Sequence, residues 1–432
     1  MDKKNIISKF INDIISEYGI VPKFAYNNKE FENKVLYSGP FFDENEIEAI
    51  IETLIFGKWF SSGEKVHKFE NEFSKKFNSK YSVMVNSGSS ANLIMLAALK
   101  KYFNWDDNSE IIISVVGFPT TLSAILLNNL KPSFVDIELQ TLNFDLHKLK
   151  QNINSNTKAI FISPVLGNPP NIDELINISK TYNLKLILDN CDSLGTKWFN
   201  KYLNEYCITS SCSFYSAHQI STGEGGMISS DIKEIIDIAR SMISWGRDCY
   251  CVGSSNLLPQ GTCKKRFSDW LKPLYNGIVD HKYVFTNIGY NLKPLDIQGA
   301  MGLVQLDKFG KIKQNRIYNK SHIEKYFLKI NGIKKVEKHS FSDVCWFGVP
   351  ILCKTKELKT KLVEHLEQNN IQTRNYFAGN ILLHPAYKNY DDFSKYPMAN
   401  EVLDKVFFVG CSPHYTEQTL KYIKLIVENF KE

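Results

Sequence analysis

The feature that most constrains this chain is a repeated alternation. Short runs of apolar, β-branched or small residues at 81–85, 111–116, 133–137, 159–165, 184–188 and 211–215 are separated by longer stretches, among them a helix from Ser90 and another after Pro119. Strands that are apolar along nearly their whole length are buried on both faces, which is the mark of a largely parallel sheet covered by crossover helices. In such sheets ligands gather at the carboxyl ends of the strands, so the residues just after each run are the ones to inspect. Beyond about residue 310 the pattern changes to a helical stretch, a run at 346–352, a helix near 358–367, a run at 371–376 and a last helix from Thr416. The chain therefore reads as α/β. A helical segment spans residues 1–40, a large ligand-binding domain with a mostly parallel sheet spans 41–310, and a smaller C-terminal α/β domain spans 311–432.

In the first segment Ile6, Ile7, Phe10, Ile11, Ile14 and Ile15 fall at helical spacing, which predicts an amphipathic helix. Asp43 with Glu46 predicts a capping box before Ile47, Ile50, Ile51 and Leu54. A chain of 432 residues with 43% hydrophobic residues can bury a large core. Its formal charge of +6 is small for that length and the two signs are interleaved, so nothing in the charge pattern predicts a nucleic-acid partner. No apolar run reaches the length of a membrane span, and the reading is of a cytoplasmic protein. Nine cysteines in so long a chain do not make a disulfide scaffold; Cys207, Cys212, Cys345, Cys353 and Cys411 read as small buried hydrophobes.

Four strand ends collect unusual residues. In Asn86-Ser87-Gly88-Ser89-Ser90-Ala91-Asn92 small residues run straight into a helix, presenting free N–H groups and hydroxyls to an anion such as phosphate. Gly117-Phe118-Pro119-Thr120-Thr121 places an aromatic ring at a strand end, where core packing is the plain alternative. Leu188-Asp189-Asn190-Cys191-Asp192 ends an apolar strand on a carboxylate that needs a charge partner to offset desolvation. The fourth end carries Ser213, Tyr215 and His218, followed by Ser221-Thr222-Gly223-Glu224-Gly225-Gly226.

A phosphate cradle, an aromatic plate and a strand-end carboxylate, in that order, are what a pyridoxal cofactor needs. On these motifs the chain, from about residue 40 to its end, resembles the sugar-modifying branch of the fold-type I pyridoxal-phosphate enzymes, which comprises nucleotide-sugar aminotransferases and dehydratases. The resemblance implies a PLP-dependent transferase fold of type I, like that of aspartate aminotransferase. It also implies roles: Gly88, Ser89 and Ser213 hold the cofactor phosphate, Phe118 stacks on the ring, and Asp189 pairs with the pyridinium nitrogen. Asn291 in Gly289-Tyr290-Asn291-Leu292 reaches the phosphate of a neighbouring subunit, so that a homodimer shares its active sites. Arg374, Asn375 and Tyr376 resemble the segment that borders the substrate; His384 either joins them or lies in a surface turn.

The decisive position is His218, where aminotransferases of this family carry a lysine. Imidazole cannot form the lysine's Schiff base, yet it can take and return a proton near neutral pH. The resemblance then implies a cofactor held as pyridoxamine 5'-phosphate and removal of the C3 hydroxyl from a nucleotide-linked 4-keto-6-deoxy sugar. Two types of dehydratase share this histidine. One, acting on a CDP sugar, carries a [2Fe-2S] cluster on four thiolates and takes electrons from a flavin iron–sulfur reductase. The other, acting on a GDP sugar, restores its amine from glutamate and has no cluster. Cys191, Cys249 and Cys251 match the spacing of the cluster type. Cys263 is the fourth ligand only if eleven intervening residues replace the usual seven, an insertion of small entropic cost. The expectation is the cluster-bearing dehydrase, with the glutamate-dependent one as alternative.

Overall fold

A computed structural model describes residues 3–18, 34–249 and 265–431. Seven strands form the central sheet: β1 (Tyr81–Val85), β2 (Glu110–Ser114), β3 (Lys131–Val135), β4 (Thr157–Ile162), β5 (Lys185–Asp189), β6 (Thr209–Ser213) and β7 (Gly226–Ser230), in the order β1-β7-β6-β5-β4-β2-β3. The pairs β6/β5, β5/β4, β4/β2 and β2/β3 are parallel, whereas β7 runs antiparallel to both β1 and β6. Val83, Ile113, Phe161 and Ile187 point to one side, into a core shared with Ile94, Met95 and Leu99 of the helix Gly88–Tyr102; Ile112, Ile160 and Leu188 point to the other, against Ile172 and Leu175. Burial on both faces is what the near-continuous apolar runs anticipate.

A second sheet contains β8 (Ile333–Lys334), β9 (Gly348–Cys353), β10 (Thr373–Asn375) and β11 (Val406–Gly410) in the order β8-β9-β11-β10, all antiparallel. The 32-residue helix Asp296–Phe327 runs through residue 310, so the two sheets are joined by one continuous rod. Its fully buried Arg316 donates to the carbonyls of Phe347 and Ala217 at 3.0 and 2.8 Å, tying the start of the small sheet to the turn that carries His218. The N-terminal helix Lys3–Tyr18 buries Ile7 and Ile11, and the box at Asp43 and Glu46 caps Glu44–Phe56. No helix among the described residues is long and apolar enough to cross a membrane.

Candidate active site

The carboxyl ends of β1, β5 and β6 open into a cavity of about 560 Å³. Gly88, Ser89, Phe118, Asp189, Cys191, Ser213, Tyr215 and His218 line it from the large sheet, and Arg374, Asn375 and His384 line it from the C-terminal part. Of the residues singled out by sequence, the structure gathers every one named here around a single space.

Ser87 caps the helix that begins at Gly88, accepting from the Ser90 N–H at 3.1 Å, so the first turn directs its remaining N–H groups toward the cavity. Gly88 is fixed by space: a Cβ there would stand 2.5 Å from the Ser213 Cβ, 2.9 Å from its Oγ and 3.0 Å from the Cys191 Sγ. Helix start and Ser213 thus form one tight, small-residue cradle of the kind a phosphate fills. Phe118, which precedes the helix Pro119–Leu127, is half exposed and meets Phe377 edge-on at 5.8 Å; one face of its ring is available to a flat ligand.

Asp189 is buried, with Oδ2 accepting from Asn92 Nδ2 and Thr121 Oγ1, each at 2.7 Å, and Oδ1 accepting from the Cys191 N–H at 3.2 Å. Asn92 is itself held by Ser211 Oγ at 2.5 Å. All three donors to Asp189 are neutral, so the charge on a buried carboxylate is left for a cation that a ligand brings. A protonated pyridine nitrogen is such a cation, and cradle, plate and carboxylate together fit a pyridoxal-type cofactor. Sequence reading located Asp189 but not its supports; Asn92 and Thr121 lie in motifs singled out for other reasons.

His218 follows β6 on a turn closed by its own N–H to the Tyr215 carbonyl at 2.9 Å. Its ring lies 5.2 Å from that of Phe347. Burial, with the nearby Arg316 guanidinium, holds the imidazole down to about 3, so at neutral pH it is an uncharged proton acceptor. Asp192 stands 3.7 Å from its Nδ1, and burial, reinforced by the neighbouring Asp189, raises this carboxyl to about 7. Among the described residues no lysine lines the cavity.

The residues matching 41–428 of this chain are those of the DegT/DnrJ/EryC1/StrS aminotransferase family model. The chain belongs to that family. It is similar to dTDP-4-dehydro-2,6-dideoxy-D-glucose 3-dehydratase of Saccharopolyspora spinosa, at 35% identity over 91% of this chain and 86% of the relative. It is also similar to GDP-4-keto-6-deoxy-D-mannose 3-dehydratase of Escherichia coli O55:H7, at 33% over 85% and 92%. A solved structure of GDP-4-keto-6-deoxymannose-3-dehydratase with a trapped PLP-glutamate geminal diamine superposes with a TM-score of 0.78 at 29% identity, covering 91% of this chain and all of that one. Relatives and solved neighbours share the PLP-dependent type I fold of sugar aminotransferases and dehydratases, as the motifs imply.

The iron–sulfur expectation draws no support from these comparisons. Cys251 and Cys263 lie outside the described residues; Cys249 is buried, and Cys191 lies at the cradle. Burial, with the carboxylates of Asp189 and Asp192 beside it, drives the Cys191 thiol well above its ordinary value, an environment that opposes a free thiolate. Among the described residues no group of three or more His, Cys, Asp and Glu side chains is placed to hold a metal ion. Asn291 is exposed, lies outside the cavity lining, and accepts from Lys293. The Lys293 ammonium sits 3.4 Å over the Trp245 ring, with Arg247 4.5 Å from the same ring, and burial holds this lysine down to about 8.

Proposed function

We propose that this chain is a pyridoxamine-phosphate enzyme that removes the C3 hydroxyl of a nucleotide-linked 4-keto-6-deoxy sugar, by the cluster-free route in which glutamate restores the amine. The observation that carries the reading is His218 in a cavity that has a cofactor cradle and, among the described residues, no lysine. The cofactor, when bound, supplies a primary amine that condenses with a ketone and a conjugated ring that accepts electron density.

The chain's own residues do the rest. The N–H groups at Gly88 and Ser89 and the hydroxyl of Ser213 hold the phosphate. Phe118 covers one face of the ring, and Asp189, fixed by Asn92 and Thr121, keeps the ring nitrogen protonated. His218 presents a neutral imidazole placed to take the proton of the amine-bearing carbon, the step that would send electrons toward the sugar and let the β hydroxyl leave as water. Lacking a lysine, the site has no covalent tether to recapture the cofactor, and the product amine is lost by hydrolysis. The sugar gains two electrons, glutamate becomes 2-oxoglutarate, and ammonia leaves. Arg374 is the one guanidinium among the described lining residues and is the cation available to an anionic substrate.

Two features support a homodimer with shared sites. Asn291 sits outside the cavity of its own chain. The segment that leads to it exposes Leu274, Ile278, Tyr283, Phe285, Ile288 and Tyr290, with Leu274 96% and Ile288 95% exposed. Faces of this kind are normally covered in an assembly.

Glutamate dependence is favoured over the cluster because the relative acting on the GDP sugar has been trapped with PLP and glutamate together. The test is to purify the protein without oxygen, measure iron and sulfide, and load it with pyridoxamine phosphate. GDP- and CDP-linked 4-keto-6-deoxy sugars are then supplied with and without glutamate. Iron-free protein that turns over repeatedly only with glutamate supports the reading. About two irons and two sulfides per chain, with turnover that requires a reductase, overturns the cluster-free route.

A further inference from the structure

We propose that Asp192 is a positioning residue for His218: its carboxylate accepts a hydrogen bond from Nδ1–H and leaves Nε2 as the bare nitrogen facing the cavity. The inference rests on the assignment of His218 as the base and deepens it.

The geometry carries it from several sides. His218 Nδ1 is buried and has no hydrogen-bond partner, and Asp192 Oδ1 is the carboxylate oxygen beside it at 3.7 Å. That separation exceeds a hydrogen bond but closes with a small ring rotation, and catalytic pairs commonly tighten when substrate binds. Leaving a buried ring nitrogen unpaired is costly.

Asp192 is held at two points. Its Oδ2 accepts from the Leu166 N–H at 3.0 Å. Leu166 has a left-handed backbone, with φ of 55°, and is followed by Gly167 at 96°, where a Cβ would meet the Cys345 carbonyl at 2.7 Å and the Asp192 carbonyl at 3.2 Å. Such a turn is strained for leucine and persists only where surroundings enforce it. Gln219, the residue after His218 and 1% exposed, donates through Nε2 to the Asp192 carbonyl at 2.5 Å. The loop after β5 and the turn after β6 are thereby locked together, with the carboxylate beside Nδ1. His218 is fixed from the other side by Phe347 against its ring and by Arg316 Nη2 on its carbonyl at 3.2 Å.

A carboxylate on one imidazole nitrogen dictates which nitrogen keeps the proton. With Nδ1 donating to Asp192, Nε2 is the acceptor. It makes no hydrogen bond within the described protein and is not among the buried unpartnered atoms.

The test reads the tautomer directly. Full-length protein labelled with 15N-histidine is compared with His218→Asn to assign the ring signals, then with Asp192→Asn, Asp192→Ala and Asp192→Glu. Above about pH 8, where the Asp192 carboxyl has lost its proton, wild type is expected in the Nδ1–H form, and Asp192→Ala and Asp192→Asn in a mixture or in the Nε2–H form. In the loaded enzyme kcat is expected to fall about a hundredfold, KM for the nucleotide sugar to stay within about twofold, and Asp192→Glu to recover part of kcat. An Nε2–H wild type overturns the proposal, as does an Asp192→Asn protein with wild-type tautomer and kcat, or a loss confined to KM. Should Asp192→Ala fail to fold, the isosteric Asp192→Asn decides. The tautomer needs no substrate, so failure of the proposed reaction is read separately from failure of the dyad.

Discussion

The floor of the cavity and the face around residues 271–295 are built on opposite plans. At the floor the supporting polar groups are answered within the chain: Ser211 holds Asn92, Asn92 and Thr121 hold Asp189, and Ser87 caps the helix at Gly88. On the face, apolar side chains such as Leu274, Ile278 and Ile288 stand in the open, and Asn291 is exposed outside its own chain's cavity lining. The first region is finished by folding, whereas the second is left for another surface to finish. If one chain supplies the floor and a second copy supplies Asn291, stability and function separate cleanly: damage to the floor acts within a subunit, and damage to the face acts through assembly.

Substitutions on the two regions break or sharpen this contrast, and the largest effect belongs to the floor. His218→Asn is expected to lower kcat by about a thousandfold while leaving cofactor affinity and the oligomeric state as in wild type, measured by product formation, cofactor titration and sedimentation. Asp189→Asn removes the charge proposed to pair with the ring nitrogen. Cofactor affinity should fall by roughly two orders of magnitude, read by absorbance titration, with assembly again intact.

Charges placed on the face reverse the pattern. Leu274→Asp with Ile288→Asp should shift the protein to monomers in sedimentation and cost activity, with each monomer's thermal unfolding still cooperative. A monomeric wild type of full activity would remove the second half of the comparison.

Gly88→Ala tests how tightly the floor is built. The added methyl would stand 2.5 Å from the Ser213 Cβ, and overpacking of this kind costs about 1–3 kcal/mol. Chemical unfolding should show that loss together with weaker phosphate binding.

The smallest effect is on pH dependence. His218, held down to about 3 when folded against an ordinary 6.5, takes up a proton in the unfolded chain first. Its contribution is therefore complete above about pH 6.5 and is lost as pH falls toward 3. Asp192, raised from 3.8 to about 7, has the opposite sign: its contribution is complete below pH 3.8 and is lost as pH rises through 7. His218→Asn should flatten the acid side of the stability profile, measured by urea unfolding at pH 4 and pH 7, and Asp192→Asn the neutral side.

Six of the seven large-sheet strands are legible in sequence because burial on both faces writes itself as an unbroken apolar or small run. The seventh, Gly-Met-Ile-Ser-Ser at 226–230, has only two apolar side chains and runs antiparallel between β1 and β6, so neither its composition nor the strand–helix alternation announces it. The run at 159–165 ends at Ile162, with Pro164 before a 3-10 turn at Val165–Gly167; the proline can donate no ladder hydrogen bond.

For the site, residue types at strand ends identified Gly88, Phe118, Asp189, Ser213 and His218, since each occupies a place where a parallel sheet delivers ligands. What sequence does not carry is pairing at a distance. Asp192 lies 26 residues from His218, and Arg316 sits in a helix that gives no periodic sign of a fully buried guanidinium. The cysteine spacing was read as a cluster motif on chemistry that the comparisons do not support.

The most direct test of the central claim follows the sugar by NMR. Loaded wild-type enzyme, a GDP-linked 4-keto-6-deoxy sugar and glutamate in deuterated water should yield a 3-deoxy-4-keto sugar, with 2-oxoglutarate and ammonia formed in step, and His218→Asn should yield none. A 4-amino sugar that keeps its C3 hydroxyl would contradict the account, because it would mean that this site transaminates without a lysine.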